Sequence, residues 1–181
     1  MDFQQSIQLV LRAKAGDRSA FSELIDLYQT ALFRFCFYLC RDQSRAEDLS
    51  QNTLIKAFEK IHKLQEAEKF RPWLFQIARH EFLDFVRSHK REEIRPIADD
   101  EVVQTPHEQD LEVREILAAL DSDSQICLVL VDMEGYSYAE AAEIIGISED
   151  ALRSRLHRAR KEFLDKYEKT ETLKLPKAST L

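Results

Sequence analysis

Between Tyr138 and Lys161 the chain sets side chains suited to reading double-stranded DNA. Tyr138-Ala139-Glu140-Ala141-Ala142-Glu143-Ile144-Ile145 reads as a short helix, Gly146 can take a left-handed turn, Ile147 is an apolar anchor and Ser148 an N-cap. In the helix that follows, Leu152, Leu156, Ala159 and Phe163 recur at steps of four, three and four, so they face a core. That leaves Asp150, Ser154, His157, Arg158 and Lys161 pointing outward, with Arg153 and Arg160 on one flank. In helix-turn-helix docking the early residues of the second helix reach base edges and later basic ones hold phosphates. Arg153, Ser154 and His157 are therefore base-contact candidates, and Arg155, Arg158, Arg160 and Lys161 suit the backbone. A merely solvated helix face could carry the same charges, but it has no need of small alanines at 139, 141 and 142, a glycine turn and a serine cap.

A second set lies after Pro72. Projected at about 100° per residue, Leu74, Ile77, Ala78, Phe82 and Phe85 form one arc, while Trp73, Gln76, His80 and Arg87 fall on the other side. A tryptophan on the polar edge of a basic helix, beside Phe70, fits a surface that stacks unpaired bases while arginines track the strand. Periodicity alone equally allows Trp73 to fold back on Ile77 at the edge of a core. In residues 46–58 the polar side of an amphipathic helix holds Asp48, Gln51, Asn52 and Lys56, a face that is either solvated or meets a partner.

Catalytic and metal chemistry are not indicated. The histidines His62, His80, His89, His107 and His157 form no H-E-x-x-H or Cys/His cluster, and no nucleophile or acid/base pair stands out, so neither metal nor cofactor is expected. Cys36, Cys40 and Cys127 sit in apolar runs as reduced core thiols. Three glycines are too few for phosphate-loop or hairpin-rich folds, and no G-x-G-x-x-G, G-x-x-x-x-G-K or G-x-S-x-G occurs. The most apolar stretch, Ala31 to Cys40, is interrupted by Arg34 and is half the length of a bilayer span, and the N-terminus lacks a basic n-region. A cytoplasmic protein without membrane insertion is the expectation.

The net charge of -7 hides a segregation. Residues 69–91 carry 6 basic and 2 acidic side chains and residues 151–181 carry 9 and 4, whereas residues 92–110 carry 1 and 7 and residues 111–150 carry 1 and 10. Two basic patches are thus set in an acidic molecule, and repulsion from the acidic blocks should make binding to free DNA weak.

The elements that position these residues read as helical throughout. Phe21, Leu24, Tyr28, Ala31, Leu32, Phe35 and Leu39 keep the helical period. Asp17 can cap that helix, Ser44-Arg45-Ala46-Glu47 opens the next, Ser122-Asp123-Ser124-Gln125 and Ser137-Tyr138-Ala139-Glu140 open two more, and Pro72 suits a first turn. Pro96 and Pro106 fall in an acidic stretch of little apolar periodicity. The expectation is an all-α chain of two small helical domains, residues 1–91 and 111–168, joined by an extended acidic linker at 92–110 and followed by a flexible tail at 169–181.

Four motifs, in order and spacing, resemble bacterial RNA polymerase sigma factors of the extracytoplasmic-function (ECF) group: Ala46-Glu47-Asp48-Leu49-Ser50-Gln51, Phe70-Arg71-Pro72-Trp73-Leu74-Phe75-Gln76-Ile77-Ala78-Arg79, Glu134-Gly135-Tyr136-Ser137-Tyr138-Ala139-Glu140 and Arg155-Leu156-His157-Arg158-Ala159-Arg160. The resemblance covers roughly residues 10–165. It implies a sigma region 2-like and a region 4-like domain. Asp48, Gln51, Asn52 and Ile55 would then bind the clamp helices of the polymerase β′ subunit, and the C-terminal domain would meet the flap of the β subunit. Phe70, Trp73, Gln76, Arg79, His80 and Arg87 would melt and read the minus-ten element, capturing an extruded base. The C-terminal helix-turn-helix would read the minus-thirty-five element, the linker would thread the polymerase channels, and an anti-sigma factor is an expected partner. His80 stands where asparagine is common, Asp121-Ser122 replaces a Leu-Pro-like entry, Ile126-Cys127 a frequent Arg-Glu, and Asp150-Ala151-Leu152 the usual Thr-Val pair. A free-standing helix-turn-helix regulator is the alternative function.

Overall fold

The computed structural model describes residues 3–89 and 108–174, and every regular element among them is helical. The expected linker lies outside the described residues except for its last positions, where a helix has already begun. The N-terminal domain comprises α1 (Phe3–Lys14), α2 (Arg18–Cys40), α3 (Gln43–Lys60) and α4 (Phe70–His89), with two 3-10 turns, Ile61–Lys63 and Ala67–Lys69, between the last two. The C-terminal domain comprises α5 (Glu108–Ala118), α6 (Ser122–Leu128), a π turn at Val129–Met133, α7 (Tyr138–Ile145) and α8 (Glu149–Lys174). The helix α8 runs on through Lys174, past the point where the apolar pattern fades and a tail is expected.

Local chemistry sets the helix starts. Asp17 accepts from the amides of Ser19 at 3.0 Å and Ala20 at 3.1 Å, as its position before α2 predicts. Two expected caps shift upstream to an aspartate. Asp42, in extended backbone, accepts from Arg45 N at 2.7 Å and starts α3, leaving Ser44 inside the first turn. Asp121 accepts from the amides of Asp123 and Ser124 and starts α6, so Ser122 is its first helical residue. A carboxylate is as good a cap as a hydroxyl, and the one nearer the end of the preceding turn takes the place. The Ser137–Glu140 capping box forms in full, and Gly146 ends α7 at φ +78°. Ser148 accepts from Ala151 N at 3.3 Å and starts α8.

Each domain has its own core. In the first, Leu24, Leu32 and Phe35 of α2 meet Ala46, Leu49 and Ala57 of α3 and Leu74, Phe75, Ala78 and Phe82 of α4. In the second, Leu117, Ile126, Leu130, Ile144, Leu152, Leu156 and Ala159 close around the helix-turn-helix. Ala141 and Ala142 are buried where the two helices cross, whereas Ala139 is exposed. The cores are not separate, however: α4 packs against α7, and α2 against α5 and the π turn, so the two domains share a seam.

Candidate functional site

The second helix of the helix-turn-helix divides as its periodicity predicts. Leu152, Leu156 and Ala159 are buried, Phe163 is half-buried, and Arg153, Ser154, His157, Arg158 and Lys161 are exposed. Arg153 is held loosely, with Nη1 3.3 Å from Asp150, Nη2 3.6 Å from Glu149, and its guanidinium 5.9 Å from the centre of the Tyr138 ring. Arg158 donates to the Ser154 carbonyl at 3.3 Å. Two arginines expected at phosphates are engaged inside the protein. Arg160 grips Asp132 of the π turn through two bonds, 3.0 and 2.6 Å, and lies 3.4 Å from the Tyr138 hydroxyl. Arg155 is half-buried and lies 3.3 Å from Asp123. Periodicity places both side chains on the helix surface but carries no information about acidic partners on other elements. Beside Asp132 and Arg160, Val113, Leu117, Leu128, Met133, Phe163 and Leu164 line an apolar groove of about 450 Å³.

On α3, Ala46, Leu49, Thr53 and Ala57 turn inward, and Asp48, Gln51, Asn52 and Ile55 form one exposed stripe. Ile55 is 57% exposed and Phe58, one turn further along, 46%. Phe58 escapes sequence reasoning because its position also suits the core, and its ring does touch Phe21 edge-on at 5.1 Å.

The α4 face departs most from expectation. His80 and Arg87 are exposed, Arg87 beside Asp84 at 2.9 Å. Phe70 is buried, packed between Tyr28 at 5.4 Å and Trp73 at 5.9 Å, and Trp73 is itself half-buried. The remaining residues point into the seam. Gln76 donates to the Glu143 carbonyl at 2.8 Å, and Arg79 lies 3.8 Å from Asp123. Lys69 bonds Glu143 at 2.6 Å, and Arg71 approaches Glu140 at 3.5 Å while stacking 3.9 Å above the Tyr136 ring. Phe75, buried, meets Phe35 of its own domain edge-on at 5.2 Å and Tyr136 edge-on at 5.1 Å. Lys69, Arg71, Tyr28, Phe70 and Pro72 on one side, with Glu140 and Glu143 on the other, line a cavity of about 610 Å³.

Two further contacts close the seam. Arg34 makes a forked pair with Glu134, 3.2 and 2.9 Å, the carboxylate almost wholly covered. Gln125, 4% exposed, donates to the carbonyls of Tyr38 at 3.1 Å and Leu39 at 3.2 Å. These are last-turn carbonyls of α2, which lack helical partners, so a side chain of one domain caps a helix of the other. The charges act on one another: Glu143 holds the Lys69 ammonium above its ordinary range. Burial pushes the Glu140 carboxyl up, but hydrogen bonds from Ser137 and the charge of Arg71 outweigh it and leave the group below the usual carboxylate range. Lys69–Glu143 and Arg71–Glu140 are more than a third exposed on most of their partners, so water screens both pairs, each adds little to stability, and both weaken with salt. Arg79 Nε is buried there without a hydrogen-bond partner, which costs the seam further.

Among the described residues no group of three or more His, Cys, Asp or Glu could hold a metal ion, and no helix is long and apolar enough to cross a membrane. The three cysteines are buried, and loss of solvation pushes the Cys40 thiol up to about 12 and that of Cys127 up to about 11.

Comparison with known proteins adds family context. The sigma-70 region 2 family model matches residues 24–92, and the sigma-70 region 4 model matches residues 110–163. The chain is 36% identical over 149 residues to the ECF RNA polymerase sigma factor SigM of Bacillus subtilis, covering 76% of this chain and 89% of that one. Among solved structures it is similar to the sigma factor RpoE of Bartonella quintana in complex with the anti-sigma factor NepR, with a TM-score of 0.70 and 28% identity over 82% of this chain and 96% of that one. The fold also matches CnrH in complex with the cytosolic domain of CnrY, with a TM-score of 0.72 at 24% identity, covering 91% and 97% of the two chains.

Proposed function

We propose a division of labour among these faces on the premise that the chain belongs to the ECF group of RNA polymerase sigma factors, the subunits that give bacterial polymerase its promoter specificity. As such it directs transcription initiation by joining core RNA polymerase and promoter DNA, and it is a specificity subunit rather than a member of a catalytic family.

The α3 stripe Asp48, Gln51, Asn52 and Ile55, extended by Phe58, docks on the clamp helices of the β′ subunit. The apolar groove of the C-terminal domain receives the flap of the β subunit. Arg153, Ser154 and His157 read bases of the upstream element while Arg158 and Lys161 hold its phosphates; Arg155 and Arg160 join them only by leaving Asp123 and Asp132. Trp73, Gln76, Arg79, His80 and Arg87 meet the opened downstream element, with Lys69 and Arg71 at the cavity that Phe70 helps to line. An anti-sigma factor regulates the chain, a reading supported by its likeness to RpoE bound to NepR. The site of action is the cytoplasm, where polymerase works.

The observation that carries this reading is the α8 face, which buries Leu152, Leu156 and Ala159 and turns Arg153, Ser154, His157, Arg158 and Lys161 to solvent. Reconstitution with core RNA polymerase and run-off transcription on genomic fragments tests it. The chain should confer initiation at discrete sites, and Asp48→Arg should co-purify poorly with core enzyme while staying folded. Absence of any chain-dependent transcript, or undiminished co-purification of the variant, overturns the corresponding assignment.

A further inference from the structure

We propose that Tyr138 is a positioning residue for the upstream-element site: anchored by Arg160 and Asp132, its ring sets the Arg153 guanidinium, and Arg160 serves as its support rather than as a phosphate ligand. The inference rests on the assignment of Arg153 to a base edge and adds what holds it there.

Tyr138 is the first residue of α7, directly after the Ser137 cap, and it is half-buried with its side chain turned toward α8. Arg153 and Arg160 are seven positions apart on α8, which sets them two turns apart on one flank. The tyrosine spans the interval. Arg153 lies over its ring, 5.9 Å from the centre, and Arg160 donates to its hydroxyl at 3.4 Å. Arg160 is fully engaged in this support: Nε and Nη2 form the fork on Asp132 at 3.0 and 2.6 Å, and Nη1 takes the hydroxyl, so each of its three nitrogens is committed. Asp132 belongs to the π turn, where the Glu134 amide closes onto the Val129 carbonyl at 2.9 Å, so the anchor is itself held by backbone. Arg158 differs: its bond, from Nε to the Ser154 carbonyl, stays within its own helix.

Reading a guanine edge demands of an arginine two parallel N–H bonds in the guanidinium plane. A carboxylate that oriented Arg153 would consume those donors, whereas an aromatic ring acts through its face and consumes none. The ties of Arg153 to Asp150 and Glu149, at 3.3 and 3.6 Å, are long and exposed, so a base can replace them. The ring restricts the guanidinium before DNA arrives, which lowers the ordering cost of the contact.

The test uses holoenzyme reconstituted with core RNA polymerase and a promoter duplex identified by run-off transcription, together with duplexes in which each base pair of the upstream element is replaced in turn. Affinities are measured over a range of salt. Arg153→Ala marks the base pair that Arg153 reads. Tyr138→Ala should lose about two- to fivefold of the preference at that same pair, the range of a cation–π contact at an exposed site, while Tyr138→Phe, which keeps the ring, should retain it. Arg160→Gln should also lose preference at that pair, with the salt slope unchanged; Arg158→Gln, equal in charge, should weaken all duplexes alike and flatten the slope by about one. Combined with Arg153→Ala, neither Tyr138→Ala nor Arg160→Gln should reduce the preference further. Full preference in Tyr138→Ala, a loss in Arg160→Gln spread evenly over all duplexes with a flattened slope, or additive losses in the combined variants would overturn the inference. Should Arg160→Gln melt below the parent, the contrast between Tyr138→Ala and Tyr138→Phe decides alone. If Arg153→Ala changes the preference at no base pair, the underlying base assignment fails and takes the inference with it; where that change is present, the other variants judge the inference by itself.

Discussion

Gln125→Glu is the smallest change that should part the two domains. The glutamine amide nitrogen donates to two carbonyls, Tyr38 at 3.1 Å and Leu39 at 3.2 Å, from a position 4% exposed. Glutamate has the same shape, but as a carboxylate it only accepts, so both bonds are lost and an anion faces two carbonyl dipoles. Two neutral hydrogen bonds contribute about 1–3 kcal/mol together, and leaving a charge buried among acceptors adds a penalty of several kcal/mol unless the site opens. A total of at least about 3 kcal/mol shifts the closed-to-open ratio by roughly 100-fold at 1.4 kcal/mol per decade. Parting the domains relieves the penalty, because water then reaches the carbonyls, so each domain should keep its helices. Small-angle X-ray scattering and far-UV circular dichroism read the two effects separately. The radius of gyration should rise above that of the parent chain, whose compact limit is about 16 Å for 181 residues, with ellipticity unchanged. A variant as compact as the parent, with the same melting temperature, would refute the view that Gln125 holds the seam.

Other perturbations test separate links. Arg153→Ala should cost about 1–3 kcal/mol of holoenzyme affinity for the upstream element if Arg153 makes a forked base contact, and unchanged protection of that element would remove it from the role. Arg41 ends α2 in the left-handed region at φ +59°, so Arg41→Gly should stabilise by about 0.5–1 kcal/mol, a rise of about 1–4 °C in melting temperature. A fall on calorimetry would show that its side chain matters more than its backbone. The buried thiols Cys36, Cys40 and Cys127 should resist a thiol-disulfide reagent at pH 8 until the chain is denatured. Rapid stoichiometric reaction of the native protein would contradict their burial.

Much of the molecule could be read along the chain because its signals are local. The spacing of Leu152, Leu156 and Ala159 fixes which side of α8 faces inward, Ser137 and Glu140 cap α7 from within one turn, and the α3 pattern exposes Asp48, Gln51, Asn52 and Ile55. Each depends on neighbours three or four positions away, which helical geometry brings together whatever the rest of the chain does. The four motifs carried the family for the same reason.

What lies across α4 was decided only by tertiary structure. Composition shows a basic block at 69–91 and an acidic one at 111–150, but opposite charge attracts without direction and does not say which pairs meet. Gln76 on the Glu143 carbonyl, Gln125 on the carbonyls that end α2, and Asp123 between Arg79 and Arg155 join residues far apart in sequence. Phe75 falls outside the helical stripe predicted for its own domain and is buried all the same, between Phe35 of α2 and Tyr136 of the other domain. Periodicity describes one helix against one core. The sharing of a face between two domains depends on shape and desolvation across the seam, and these exist only once both domains have folded.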